Sequence, residues 1–203
     1  MTRRIAAVFL AAILAFGLDL ASAHAGYKEG REAYDKRDFA TAWKELEPLA
    51  KQGNADAMFL VGSMHHMGMG TAPSYKDAAE WYRKSADAGK LDAIFTMGVV
   101  YEGGIGLPRN GKESFVWYKK SADRGFYPGQ LKVANMYAKG QGTKKDPAAS
   151  YLWYAIAERF SPRTGNDRFE IPIIKDKLSS QMTKEQVAEA DRKAKAWKPV
   201  AGK

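Results

Sequence analysis

The sequence of 203 residues contains no cysteine. This absence excludes structural disulfides, a thiol nucleophile and a lipid-modified N-terminal cysteine. Histidine is also scarce, and the three in the chain are His24, His65 and His66. A serine-type catalytic triad needs a histidine as its general base, so the chain offers few candidates for one. The carboxylates of Glu80 and Glu102 fall on helix faces that are predicted to be solvated. We therefore predict that the protein is not an enzyme and that it needs no cofactor.

Long runs of one charge sign are absent as well. The formal net charge is +9, but the sequence has no run of five or more lysines and arginines, and both signs are spread along it. A basic surface favours encounters with anionic polymers and lipid head groups. Nucleic-acid binding is not predicted, because such a function is typical of concentrated basic segments.

No apolar run reaches the roughly 20 residues that a membrane-spanning helix needs. The run from Ile5 to Leu18 is shorter, follows two arginines and precedes the small residues Ala21-Ser22-Ala23. This order is typical of a cleaved secretory signal peptide. We therefore expect residues 1–23 to be removed by a cut after Ala23 or Ala25. The mature protein is then periplasmic or secreted, without stable membrane insertion.

What the chain does contain is a repeat. The segment "AAEWYRKSADAG" (Ala78–Gly89) returns 36 residues later as "SFVWYKKSADRG" (Ser114–Gly125), and a third Trp-Tyr pair follows at the same interval. Three blocks align without a gap: Ala55–Lys90, Leu91–Phe126 and Tyr127–Phe160. Self-similarity at a fixed period of this length indicates a repeat architecture.

Each block is predicted to form two helices. In the second block, Ala93, Met97 and Val100 recur at the spacing of one buried helical face. A Gly-x-Gly pair should end the first helix, because glycine tolerates the positive φ of a helix C-terminus. Residues that cap helix N-termini then precede each second helix. These are Ser74, Asn110 and Asp146. The Trp-Tyr pairs are predicted to be core between helices.

The blocks resemble the Sel1-like repeat, a relative of the tetratricopeptide repeat, and the segment "LDAIFTMGVVYEGGIGLPRNGKESFVWYKKSADRG" carries the resemblance. The resemblance implies an all-α fold, a right-handed α-solenoid of helix-turn-helix repeats, in an exported bacterial protein. Residues 24–54 look like a degenerate first repeat that lacks the Gly-x-Gly loop. The three full repeats occupy residues 55–160.

Residues 161–203 are predicted to form C-terminal capping helices, because solenoids need atypical terminal units to close their cores. A shorter helix is expected from Pro172 to Gln181, burying Ile174 and Leu178. A capping box of Thr183 and Gln186 predicts the start of the last helix.

The resemblance implies a protein–protein interaction adaptor that binds an envelope protein or peptide. In a helix-pair solenoid the first helices line the concave side, and residues beside the buried stripe face into it. The repeat alignment gives these candidates: Phe59, Ser63, His66, Phe95, Val99, Glu102, Leu131, Asn135 and Lys139. Phe59 and Phe95 either form an apolar strip for a partner or pack between adjacent first helices. The adaptor would regulate an envelope sensor or polysaccharide system, or restrain cell-wall enzymes.

Two alternatives of other classes remain open. The segment "MHHMGMG" (Met64–Gly70) predicts a copper-binding protein if His66, Met67 and Met69 converge, since thioether and imidazole ligands suit Cu(I). Against this, Met64 and His65 occupy core columns of the repeat. The second alternative is an envelope hydrolase, because some cysteine-rich relatives of this repeat type act on β-lactams. The missing cysteines argue against carrying that activity over.

Overall fold

The computed structural model describes residues 24–161 and 167–201, and within these ranges the ordered elements are all helices. Helix α1 spans residues 24–35. The others are α2 (Phe39–Lys51), α3 (Ala55–Met67), α4 (Tyr75–Asp87), α5 (Leu91–Gly103), α6 (Gly111–Asp123), α7 (Tyr127–Lys139), α8 (Pro147–Phe160), α9 (Asp167–Ser179) and α10 (Lys184–Ala196). The predicted signal peptide, residues 1–23, lies outside the described residues. None of the helices in the described ranges has the length and apolar content that crossing a membrane requires.

The Gly-x-Gly loops end the first helix of each repeat, as predicted. Gly68, Gly104 and Gly140 are the C-caps, with φ of 67°, 73° and 69°, and each donates its N–H to the carbonyl four residues earlier. The second glycine of each pair also has a positive φ. At Gly142 there is a second constraint, because a Cβ there would collide with the carbonyl oxygen of Gly111 at the start of α6. The loop therefore packs its backbone directly on the preceding repeat.

The segment that we predicted to be a degenerate first repeat has a tight turn between α1 and α2 in place of this loop. Arg37 adopts a left-handed conformation with φ of 64°. Its N–H bonds the Tyr34 carbonyl at 3.0 Å, and the N–H of Asp38 bonds the Ala33 carbonyl at 2.9 Å. This pair of hydrogen bonds is a Schellman motif, which glycine usually supplies.

The second helices begin at the predicted caps. The hydroxyl of Ser74 accepts the N–H of Asp77, and the Asn110 side chain accepts those of Lys112 and Glu113. The Asp146 carboxylate accepts the N–H of Ala149, and Pro147 follows it in the first turn of α8. These side chains satisfy first-turn amides that have no partner within the helix.

The chain forms two compact units that divide between Trp81 and Tyr82. In the first unit, α2 packs against α3 around buried Leu46, Val61 and Met64. In the second unit, α5 packs against α6, α6 against α7 and α7 against α8. The core of this second unit runs on into α9 and α10.

The Trp-Tyr pairs are core residues, as the repeat predicted. The side chains of Tyr82, Trp117, Tyr118, Trp153 and Tyr154 are all buried. Trp81 is half-buried against the core of the first unit. The spacing of 36 residues therefore repeats a packing position.

The C-terminal helices cover α8, which contacts both α9 and α10. The capping box of Thr183 and Gln186 is present at the start of α10. Helix α9, however, begins at Asp167, so the predicted start at Pro172 is wrong and this proline lies inside the helix. The reason is tertiary: Ile171, which precedes the proline, is 2% exposed and joins Leu178 in the core. Its burial offsets the one helical hydrogen bond that proline removes.

Candidate protein-binding surface

The predicted surface residues lie on α3, α5 and α7, the first helices of the three full repeats. On α3, Phe59 and His66 are half-buried, and the His66 ring packs edge-on against Tyr75 with 5.3 Å between centroids. Ser63 was expected to face outward, but it is 8% exposed. Its hydroxyl donates to the carbonyl of Phe59 at 3.2 Å, because a serine in a helix interior can bond back to the preceding turn.

On α5, the half-buried Phe95 ring packs against the core. Its ring centroid lies 5.1 Å from that of Tyr118 and 5.2 Å from that of Phe126. Tyr118 belongs to the second helix of the same repeat, and Phe126 precedes α7. The ring is half-buried, and Val99, one turn further along α5, is half-buried against the same core. One edge of each side chain is thus left for solvent.

Glu102, at the end of α5, is held by side chains from two other helices. The hydroxyl of Tyr118 on α6 donates to its carboxylate at 2.7 Å, and the ammonium of Lys132 on α7 lies 2.9 Å from the same oxygen. Lys132 also lies over the Tyr118 ring, 5.4 Å from its centroid. We call Glu102, Tyr118 and Lys132 the carboxylate network. It fixes the positions of two polar groups on this face, the side chains of Glu102 and Lys132.

The electrostatics of the network follow from its geometry. Partial burial raises the pKa of the Glu102 carboxyl, but the hydrogen bonds from Lys132 and Tyr118 outweigh it, and the net pKa lies below the ordinary value. Burial and the hydrogen bond to Glu102 raise the pKa of the Tyr118 phenol far above its usual range. At neutral pH Glu102 is therefore a carboxylate and Tyr118 a neutral phenol.

On α7, Leu131 is half-buried against the core, whereas Asn135 and Lys139 are exposed. The Asn135 side chain accepts a hydrogen bond of 2.9 Å from the hydroxyl of Tyr154 and donates one of 3.0 Å to the carbonyl of Leu131. A tyrosine of the second helix again orients a polar group on the first helix.

On α5 and α7, half-buried apolar side chains therefore stand beside polar groups that are held in place from behind. The repeat pattern did not indicate Lys132 or the two tyrosine hydroxyls. A buried tyrosine usually finds a hydrogen-bond partner for its hydroxyl. The tyrosines of the Trp-Tyr pairs were therefore the signal for a polar contact outside the core. Hydrogen-bond donors and acceptors with apolar patches between them suit a protein or peptide ligand.

The comparison with protein families decides what kind of repeat this is. The model of the Sel1 repeat family matches residues 55–90, 91–126 and 128–159, about half of the chain. The chain belongs to the Sel1 repeat family. Sel1 repeats generally mediate protein–protein interaction, and Sel1 repeat proteins are typically non-catalytic scaffolds. A search among curated proteins finds no significant match to this chain.

Solved structures share the fold. A Sel1 repeat protein from Oxalobacter formigenes is 25% identical, with a TM-score of 0.68, over 87% of this chain and 73% of its own. The protective antigen c5321 of uropathogenic Escherichia coli strains, which displays an SLR fold, is 22% identical with a TM-score of 0.65. That match covers 77% of this chain but 32% of the antigen, so the chain spans about a third of its length. The all-α repeat fold predicted from the sequence is confirmed.

The proposed copper ligands of this Sel1 protein lie in different surroundings. Met67 is 59% exposed, whereas Met69 packs against the core of the first unit beside aromatic side chains. His66 packs on Tyr75. Among the described residues, no group of three or more His, Asp or Glu side chains is arranged to hold a metal ion.

Proposed function

We propose that this Sel1 repeat protein is an exported scaffold that binds an envelope protein through the exposed side of α5 and α7, which we call the first-helix surface. The observation that carries the proposal is the face of α5 and α7, where the half-buried side chains of Phe95, Val99 and Leu131 adjoin polar groups of fixed orientation. Groups that are already ordered lose little conformational freedom when a partner docks.

Export is part of the proposal. It is supported by the order of basic, apolar and small residues in segment 1–23, which is typical of a secretory signal. The absence of cysteine is compatible with an oxidising compartment, because no thiol is exposed to it. The partner's role, as a sensor, a polysaccharide system or a cell-wall enzyme, follows from its identity once it is captured.

The test is a cross-linked pull-down from envelope extract with residues 24–203 as bait. Lys139→Glu reverses a charge on the exposed last turn of α7, and Lys112→Glu reverses one on α6, a second helix. Both lysines are exposed, so neither change should disturb folding. We expect Lys139→Glu to reduce capture of the specific partner several-fold and Lys112→Glu to leave it unchanged.

A second pair of variants removes apolar surface. Phe95→Ala should strongly reduce capture, whereas Val116→Ala should not. Val116 is 55% exposed on α6 and serves as the matched control. Circular dichroism must show that helical content survives, because Phe95 also packs on Tyr118. Capture that is equally strong with all four variants would refute the first-helix surface as the binding site.

A further inference from the structure

The chain beyond α10 lies against the ends of the second helices. After Ala196, residues 197–201 continue without helix. The ring centroid of Trp197 lies 6.1 Å from that of Trp153 and 5.4 Å from that of Phe160, both on α8. The guanidinium of Arg159 donates to the carbonyl of Trp197 at 3.5 Å. Trp197 thus fixes the start of this segment, the tail, at the C-terminal end of α8.

Three residues later the tail has moved to the end of α6. The N–H of Val200 donates to the carbonyl of Asp123 at 2.7 Å. Pro199 lies over Gly125, so close that a Cβ on this glycine would come within 3.1 Å of the proline ring. The last carbonyls of a helix have no partner within it. The tail therefore bonds a group that every second helix of a repeat presents at its end.

The groove also includes a cavity. Val200 and Ala201 border this cavity of about 430 Å³ between the ends of α4 and α6. Its apolar wall includes Ala86, Gly89 and Ile94, and side chains of both charge signs also line it. The guanidinium of Arg124 bonds the Gly89 carbonyl at 2.8 Å, which ties the two helix ends together. A volume of this size is within the range of ligand-binding clefts.

The step from one second helix to the next suits an extended peptide ligand. An extended chain advances about 3.3 Å per residue, so three residues span about 10 Å. The tail shows this step directly, from Trp197 at α8 to Val200 at α6. It reaches the cavity beside α4.

Most of the tail is exposed beyond Trp197. The side chain of Val200 is 62% exposed, and Lys198 and Pro199 are exposed as well. Beyond Trp197, the tail is held by the contact of Pro199 with Gly125 and by one main-chain hydrogen bond. A longer segment with the same groups can therefore displace it.

We propose that this groove is a peptide-binding site and that residues 197–201 occupy it in cis. We call it the tail groove and define it by Asp123, Gly125, Trp153 and the cavity beside Ile94. Its ligand is an extended segment of a partner protein, with an aromatic residue followed two and three positions later by a proline and an aliphatic residue. Such a segment competes with the tail and extends into the cavity beside α4. The proposal does not depend on the first-helix surface.

The test uses a fluorescent peptide of residues 196–201 and measures anisotropy with residues 24–203. Val200→Pro removes the N–H that bonds Asp123, whereas Val200→Ala keeps it and is the matched control. The Val200→Pro chain should bind the peptide at least tenfold more tightly than the natural chain, because a tethered tail competes at high effective concentration. The Val200→Ala chain should behave like the natural one. A peptide that is N-methylated at the Val200 position should lose most of its affinity.

The outcomes separate the possibilities. Equal binding by the natural and Val200→Pro chains, or no saturable binding by either, would overturn the proposal. So would a natural chain that is dimeric by light scattering and monomeric as Val200→Pro, since the tail would then occupy a second copy. The Lys139→Glu chain, which changes only the first-helix surface, should bind the peptide as the natural chain does. Failure of the first-helix surface and failure of the tail groove are therefore distinguishable.

Discussion

The hydroxyl of Tyr118 donates a hydrogen bond of 2.7 Å to the carboxylate of Glu102, joining α6 to the exposed side of α5. Tyr154, one repeat later, bonds Asn135 on α7 at 2.9 Å. In both repeats the hydroxyl of a core tyrosine orients a polar group on the first-helix surface. At this position of the repeat, the ring packs in the core and the hydroxyl bonds a surface side chain.

Replacing Tyr118 with phenylalanine should lower the free energy of unfolding by about 1–2 kcal/mol, because the bond it removes ends on a charged acceptor. Tyr154→Phe is the matched control, since its acceptor is a neutral and exposed amide, and it should cost about 0.5–1 kcal/mol. Urea denaturation measures both. A larger loss for Tyr154→Phe than for Tyr118→Phe would contradict this account of the carboxylate network.

The Glu102 carboxyl should make stability depend on pH. Its pKa in the folded protein lies below the ordinary value of 4.5. Its contribution is therefore fully present above pH 4.5 and is lost as the pH falls through the folded value. The stability difference between the natural chain and Glu102→Gln should be largest at pH 7 and shrink towards pH 3. Because the side chain is 39% exposed, we expect it to stay below about 1 kcal/mol.

The control for this experiment is the partner cation. In a Lys132→Met background, the difference between Glu102 and Gln should be smaller at pH 7 and vary less with pH. Urea denaturation at pH 7, 5, 4 and 3 covers the required window. A difference that grows as the pH falls would show that the folded protein favours the protonated carboxyl.

The glycines of the loops should differ in what they tolerate. Gly104 and Gly142 have φ of 73° and 70°, so alanine costs about 1–2 kcal/mol of backbone strain at either position. A Cβ at Gly104 meets no atom closer than 3.4 Å, whereas one at Gly142 would collide with the Gly111 carbonyl. Gly142→Ala should therefore destabilise the protein by a further 1–3 kcal/mol or so. Equal melting temperatures for the two variants would refute the close approach of these backbones.

Copper should leave the melting temperature of the natural chain unchanged. Met69 packs against the core while Met67 is exposed, so we expect these two side chains not to converge on one ion. Differential scanning fluorimetry with Cu(I) under reducing conditions is the measurement, with the His66→Ala/Met67→Ala chain beside it. A rise in melting temperature that the double variant loses would instead establish the copper-binding alternative.

Much of the fold could be read from the sequence because its signals are local and recur. The caps at Asn110 and Asp146 act within one helical turn, and the glycines at 104 and 140 act through their own φ. The core role of the Trp-Tyr pairs followed from their period. The start of α9 could not be read in this way, because the burial of Ile171 against distant helices overrides the local preference of Pro172 for a first turn.

The candidate surface was predicted less completely. Repeat columns located the first-helix face, but they could not show that Ser63 is buried or that Phe95 packs on Phe126. Lys132 belongs to this surface because it forms an ion pair with Glu102. The two residues are 30 positions apart, and no local sequence pattern encodes such a contact.

The sequence by itself determined the repeat, its helix pairs and the glycine loops, because helix periodicity, capping and positive φ depend on neighbouring residues. Only the tertiary structure decided which polar groups the tyrosines orient and where the tail lies. The contact between Val200 and Asp123 joins residues far apart in the chain. It exists because packing of successive repeats brings their helix ends into one row.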